Sequence, residues 1–198
     1  MKKFELTTEF ITNMFGKKLF RIKALVEFGN VKAGELGGYV EKEENVSQDG
    51  NAWVYGDARV YDNAWVYGDA RVSGNAEVSG NARVSGNARV YDNAWVYGDA
   101  EVYGDAWVSG NAWVSGNARV SSDADYALVQ GFGTEFRCTT FYRGKNKKIM
   151  VNCGCFHGDL EGFRKQVKET RNGKIAKEYL MIADLMEYHF TSEDSSNE

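Results

Sequence analysis

The chain has 198 residues, a formal net charge of −4 and three cysteines. That length allows one or two small domains, and the cysteines are too few, and odd in number, for a disulfide framework. No run approaches a membrane span, and the start, Met1-Lys2-Lys3-Phe4-Glu5, lacks the apolar run of a secretory leader. These features fit a reducing cytoplasm. The charge is unevenly spread: residues 45–125 sum to −6 and residues 134–178 to +6, an acidic block followed by a basic one.

Residues 1–44 read as a capping segment. Phe20, Ile22, Ala24, Val26 and Phe28 alternate with Arg21, Lys23, Leu25 and Glu27, which is strand periodicity. Gly29-Asn30, Gly34 and Gly37-Gly38 mark turns, and Val40 with Gly38 two before it suggests a degenerate hexad over 39–44.

From Asn45 to about Leu128 a six-residue unit, Asn/Asp-Ala-x-Val-Tyr/Ser-Gly/Asp, recurs fourteen times with no break in register; the first copy is degenerate, its Val46 out of column. Ala and Val are two apart, so an extended segment points both to one side and sends x and Tyr/Ser to the other. The Gly/Asp-Asn/Asp pair is turn chemistry. Three such sides make a triangular coil of eighteen residues. An eighteen-residue coil is supported independently by the residue after Val, which is Tyr at 55, 61 and 67, Ser at 73, 79 and 85, Tyr at 91, 97 and 103, then Ser again. Stacked at eighteen, the outward x residues form three faces. The first reads Trp53, Arg71, Arg89, Trp107; the second Arg59, Glu77, Trp95, Trp113; the third Trp65, Arg83, Glu101, Arg119.

This pattern resembles the left-handed parallel β-helix of hexapeptide-repeat proteins, and the handedness is implied by that resemblance. The expected fold is mainly β: a left-handed parallel β-helix of four to five coils over 45–128, with an N-terminal β cap and a small C-terminal ββαα appendage over 129–190. Hexapeptide-repeat enzymes, the acyltransferases and γ-class carbonic anhydrases, use histidines on or beside the coils. Here the repeats hold none, since the two histidines are His157 and His189. An acyltransferase-like or metal-dependent enzyme is therefore the less favoured alternative, and no cofactor is expected.

After the repeats, Phe136 to Arg143 and Ile149 to Cys153 flank the turn Gly144-Lys145-Asn146-Lys147 as a hairpin. Asp159 is placed to N-cap a helix with Leu160, Phe163 and Val167 on one side. A second helix over about 174–190 carries Ile175, Tyr179, Ile182, Leu185, Met186 and His189 at helical spacing. Residues 191–198 read as a disordered acidic tail.

All five tryptophans point outward from the prism, as do six of the eleven tyrosines. Trp53, Trp65, Trp95, Trp107, Trp113, Tyr91 and Tyr97 are the candidate binding residues, because exposed Trp and Tyr mark interfaces. Burial by the flanking segments or in a homotrimer, and simple ladder stacking, explain the same residues. Arg143, Lys147 and Lys148 on the hairpin are candidate phosphate or partner contacts, or merely solvated lysines. Cys153-Gly154-Cys155-Phe156-His157, with Cys138 on the neighbouring strand, could begin a zinc site. The spacing lacks a second pair, however, and core cysteines are the commoner explanation. No metal is assigned.

Two further stretches, Lys18-Leu19-Phe20-Arg21-Ile22-Lys23-Ala24-Leu25 and Gly34-Glu35-Leu36-Gly37-Gly38-Tyr39-Val40-Glu41, together with the ending around Cys153-Gly154-Cys155 and Ala176-Lys177-Glu178-Tyr179-Leu180, make the chain resemble proteins carried by bacteriophages and prophages. The resemblance implies a setting, the cytoplasm of an infected or lysogenic bacterial host, and no activity. Taken with the rigid scaffold, the outward Trp and Tyr and the missing catalytic set, it leads to the expectation of a non-enzymatic module that binds a host protein, as an inhibitor of a defence system. A self-assembling dimer or trimer is the alternative. Neither nucleic acid nor membrane is an expected partner.

Overall fold

The computed structural model describes residues 2–191 and divides into two compact units, Met1–Asp123 and Ala124–Glu198. The predicted acidic tail lies outside the described residues apart from Thr191, which ends a helix.

The first unit opens with three longer strands, β1 (Phe4–Thr12), β2 (Lys18–Ala24) and β3 (Leu36–Val40). Twelve two-residue strands follow. They are β4 (Trp53–Val54), β5 (Arg59–Val60), β6 (Trp65–Val66), β7 (Arg71–Val72), β8 (Glu77–Val78), β9 (Arg83–Val84), β10 (Arg89–Val90), β11 (Trp95–Val96), β12 (Glu101–Val102), β13 (Trp107–Val108), β14 (Trp113–Val114) and β15 (Arg119–Val120). Each of β4 to β12 pairs in parallel with the strand eighteen residues on, so Trp53 lies beside Arg71, Arg59 beside Glu77 and Trp65 beside Arg83. The three faces are those the sequence predicts, and the unit is a β-solenoid.

Its interior is built from two columns alone. Every Ala and Val from Ala52 to Val120 in the inward positions is at most 1 % exposed. Each buried valine contributes roughly 1.5–3 kcal/mol relative to an exposed one. Between coils the backbone N–H of x, of Tyr/Ser and of Asn/Asp donates to the next coil, as in Trp53 N to Ala70 O at 3.0 Å, Tyr55 N to Val72 O at 3.0 Å and Asp57 N to Gly74 O at 2.9 Å. At the corners the side-chain amides continue the ladder: Asn81 donates to Asp99 at 2.9 Å and Asn87 to Asp105 at 2.9 Å.

The register is not unbroken. Val40 pairs with Val60 and Val46 with Val66, twenty residues apart, whereas Val54 pairs with Val72, eighteen apart. The solenoid thus begins at Val40, and the corner Ser47–Asn51 holds two extra residues. One of them, Gln48, has a structural use. Its Oε1 accepts from the backbone N–H of Lys3 at 2.7 Å and Phe4 at 3.2 Å, and its Nε2 donates to Phe4 O at 3.2 Å. The bulged corner clasps the start of β1.

Because all ladder N–H groups point onward, the carbonyls of the first coil have no coil before them. The chain supplies donors one by one. Tyr39 N serves Ala58 O, Glu41 N serves Val60 O and Ser47 N serves Val66 O. Asn45, fully buried, gives Nδ2 to Asp62 O at 3.2 Å and Ala64 O at 2.8 Å. Lys3 gives Nζ to Gly50 O at 3.3 Å and Ala52 O at 3.0 Å. β3 lies parallel on β5, and β2 and then β1 add antiparallel, extending the second face to seven strands. The predicted alternation from Phe20 survives in Ile22 and Ala24, but Leu19 is buried in place of Phe20, and β2 stops at Ala24.

In the second unit four antiparallel strands, β16 (Tyr126–Val129), β17 (Thr139–Arg143), β18 (Ile149–Cys153) and β19 (Phe156–Asp159), precede helices α1 (Leu160–Thr170) and α2 (Gly173–Thr191). The sheet has two strands more than the predicted hairpin. Asp159 caps α1 as predicted, accepting from Gly162 N at 2.9 Å. Phe141, Val151, Leu160, Phe163, Val167, Ile182, Ala183, Met186 and Phe190 form the core of this unit. The buried face of α2 is rotated from the predicted one, so Leu185 is 58 % exposed.

Candidate functional site

The outward tryptophans do not share one fate. Trp53 is 1 % exposed, because Phe4 and Phe28 pack edge-on against its ring at 6.2 and 5.4 Å. The cap therefore removes Trp53 from the candidate binding surface. Trp65 stacks on Tyr67 with ring centroids 4.0 Å apart. Trp107 takes the Arg89 guanidinium over its ring at 4.7 Å and the edge of Tyr91 at 6.5 Å. Trp95 and Trp113 stack nearly parallel, 10° apart at 5.4 Å.

The last pair forms the wall of a groove of about 600 Å³ on the second face, shared with Tyr61, Tyr97, Asp62 and Glu77. Its far side comes from the β1–β2 loop. Asn13 Oδ1 accepts from the N–H of both Phe15 and Lys17 at 3.0 Å, which fixes the turn, and Phe15 is left 68 % exposed over the groove. Lys17 ties the loop down through ion pairs with Asp62 and Glu41. Asp62, like Asp92, stands at a corner position that glycine fills in most other repeats, with φ of 61°. Its position is held by hydrogen bonds, since Oδ2 accepts from Gly80 N at 3.2 Å and its N–H donates to Glu41 at 2.6 Å. Glu77 accepts from Arg59 at 2.9 Å and Tyr61 Oη at 3.1 Å. Burial raises the Tyr61 phenol above its ordinary pKa, and pairing with Asp62 raises the Lys17 ammonium.

Sequence reasoning found Trp95, Tyr97 and Trp113 but not Phe15, Lys17 or Asp62. A signal for Asp62 existed: it and Asp92 interrupt the glycine column. Phe15 sits in a turn and carried no periodic signal.

In the second unit, the candidate basic residues are engaged rather than gathered. Arg143 pairs with Asp125 at 3.1 Å and lies 5.6 Å from the Phe190 ring, and Lys148 pairs with Asp159 at 3.3 Å. Lys147 occupies the exposed turn with φ of 58°. The cysteine–histidine stretch is divided by the sheet. Cys153 pairs with Phe156 and Asn152 with His157, so Cys153 and His157 face opposite ways. His157 Nδ1 meets Asn152 Oδ1 at 2.6 Å, and Cys153 Sγ accepts from Thr139 at 3.1 Å. Burial raises the Cys138 thiol pKa, and Cys155 is exposed in the turn. Among the described residues no three His, Cys, Asp or Glu side chains are placed to hold a metal. Nor is any described helix long and apolar enough to cross a membrane.

Residues 52–68, 64–80 and 82–98 match the family model described as YdcK β-solenoid repeat. The coil is thus similar to that repeat. The match lies within residues 52–98 of the solenoid and leaves the cap, the later repeats and the second unit outside it. Among curated proteins none matches the chain.

Proposed function

We propose that the protein is a non-enzymatic binding module that engages another protein through the aromatic groove of the second face. The observation carrying this reading is the juxtaposition of Phe15, Trp95, Tyr97 and Trp113 around about 600 Å³ of open space on a rigid scaffold. Aromatic side chains on a preformed surface lose little conformational entropy on binding and dominate hot spots. The resemblance to phage-carried proteins supplies the setting. The partner is a protein of the bacterial host, met in its cytoplasm, and the module inhibits a defence system by occupying that partner.

A tagged pull-down from nuclease-treated bacterial cells tests this, with mass spectrometry and light scattering on the eluate. The expected result is a stoichiometric host protein that is lost from a Trp95→Ala/Trp113→Ala variant of unchanged melting temperature. Retention of the same partner by that variant, or a homo-oligomer with nothing attached, overturns the reading.

A further inference from the structure

The three faces treat tryptophan differently. Elsewhere each tryptophan has an arginine as its register neighbour: Arg71 beside Trp53, Arg89 beside Trp107, Arg83 beside Trp65. Arg89 shows what the pairing achieves, lying over the Trp107 ring at 4.7 Å. Trp95 departs from this pattern. Its register neighbours are Trp113 on one side and Glu77 on the other. The ring system best suited to a cation therefore has, in place of the chain's own arginine, a second indole and a carboxylate.

The surrounding charge has the matching sign. Asp62 and Glu77 in the groove are already paired, with Lys17 and Arg59, but residues 45–125 as a whole carry a net −6 that favours approach of cations. We infer that the groove takes an arginine side chain of a partner protein, its guanidinium against the Trp95–Trp113 wall and beside Glu77, as Arg89 lies on Trp107. Arginine suits this site better than lysine, because a planar, weakly hydrated guanidinium stacks on indole and still presents edge donors to a carboxylate. Phe15, on the fixed loop opposite, covers the aliphatic stem. The inference rests on the binding reading above and specifies the chemistry of its ligand.

The probe is a set of fluorescein-labelled, end-capped dodecapeptide pools, each with one fixed central residue: arginine, citrulline, lysine, glutamate or leucine. Citrulline keeps the shape and removes the charge. Anisotropy titrations with the full chain should show the arginine pool binding about ten-fold tighter than the citrulline pool, the scale of a partly desolvated cation–π contact. That preference should vanish in Trp95→Leu and persist in Trp65→Leu. Trp113→Arg gives a second route, since it restores the neighbour seen on the other faces and should fill the site from within, abolishing the preference in a folded protein. Equal binding of arginine and citrulline pools, with Trp95 still required, overturns the ligand class and leaves the binding reading intact. An arginine preference that survives both Trp95→Leu and Trp113→Arg reflects the overall acidity of the solenoid and overturns the inference. Binding of no pool that depends on Trp95 or Trp113 overturns the inference and the binding reading together.

Discussion

Asn45 Nδ2 reaches the carbonyl of Ala64 at 2.8 Å while the Asn45 side chain is wholly buried. The same nitrogen serves Asp62 O, so one side chain stands in for the strand that a preceding coil would supply at this corner. Leaving buried carbonyls unpaired costs about 1–3 kcal/mol each.

Asn45→Ala should therefore lower unfolding free energy by about 2–4 kcal/mol, read from urea titrations. Asn111→Ala, at an exposed corner, should change it by less than about 0.5 kcal/mol. Equal effects would mean that the first coil does not need its end satisfied.

The cap also depends on two residues having no side chain. A Cβ on Gly37 would lie 2.6 Å from Val54 O and 2.5 Å from Ile22, and one on Gly38 2.6 Å from Ala58 O. Backbone oxygens cannot move aside without breaking the ladder. Gly38→Ala should cost about 1–3 kcal/mol, the range of overpacked cores, and shift the near-ultraviolet signal of the buried Trp53. Gly34→Ala faces open space, and its cost of about 1 kcal/mol should come from its φ of 87° alone.

What the sequence made legible follows from range. From Trp53 onward every register neighbour in the coil lies eighteen residues away, so period, faces and the Arg–Trp and Arg–Glu pairs could be read directly; Arg119 with Glu101 at 2.6 Å is one such pair. The burial of Trp53 could not, because Phe4 and Phe28, which cover it, lie in segments with no fixed spacing to the repeats. The extra residues at Ser47–Asn51 were hidden for a related reason. Their role, holding the N–H groups of Lys3 and Phe4, depends on a strand packing from 44 residues away. In the second unit Tyr126–Val129 merged with the end of the repeats, and Phe156–Asp159 contains Gly158 and the cap Asp159, which argue against a strand.

Asp159 offers a separate test of the second unit. Its hydrogen bond from Gly162 N, helped by Lys148, holds the carboxyl below the usual carboxylate range. A depressed folded pKa contributes stability that is complete above the ordinary carboxylate pKa and disappears as pH falls through the folded one. Asp159→Ala should destabilise helix α1 by about 0.5–2 kcal/mol at neutral pH. Asp159→Asn, which keeps an acceptor, should retain most of the cap, and its difference from the parent chain should shrink toward zero in acid. Hydrogen exchange of the first turn of α1 measures both.

Lys3 makes the opposite case. Its side chain is nearly buried, with Nζ donating to Gly50 O and Ala52 O and lying 4.7 Å from the Phe28 ring, and burial lowers its pKa to about 8. The neutral amine still donates to the carbonyls, so deprotonation relieves desolvation without opening the cap. Between about pH 8 and the ordinary lysine value the unfolded chain holds a proton that the folded one has released. Stability should rise with pH across that window and be flat below it as far as this group is concerned. The parent chain should gain on Lys3→Met in urea titrations between pH 8 and pH 10. Carbon-13 shifts of the Lys3 ε-carbon should titrate near 8, whereas an ordinary lysine value together with a constant difference from Lys3→Met would show that the ammonium at this end of the solenoid is solvated.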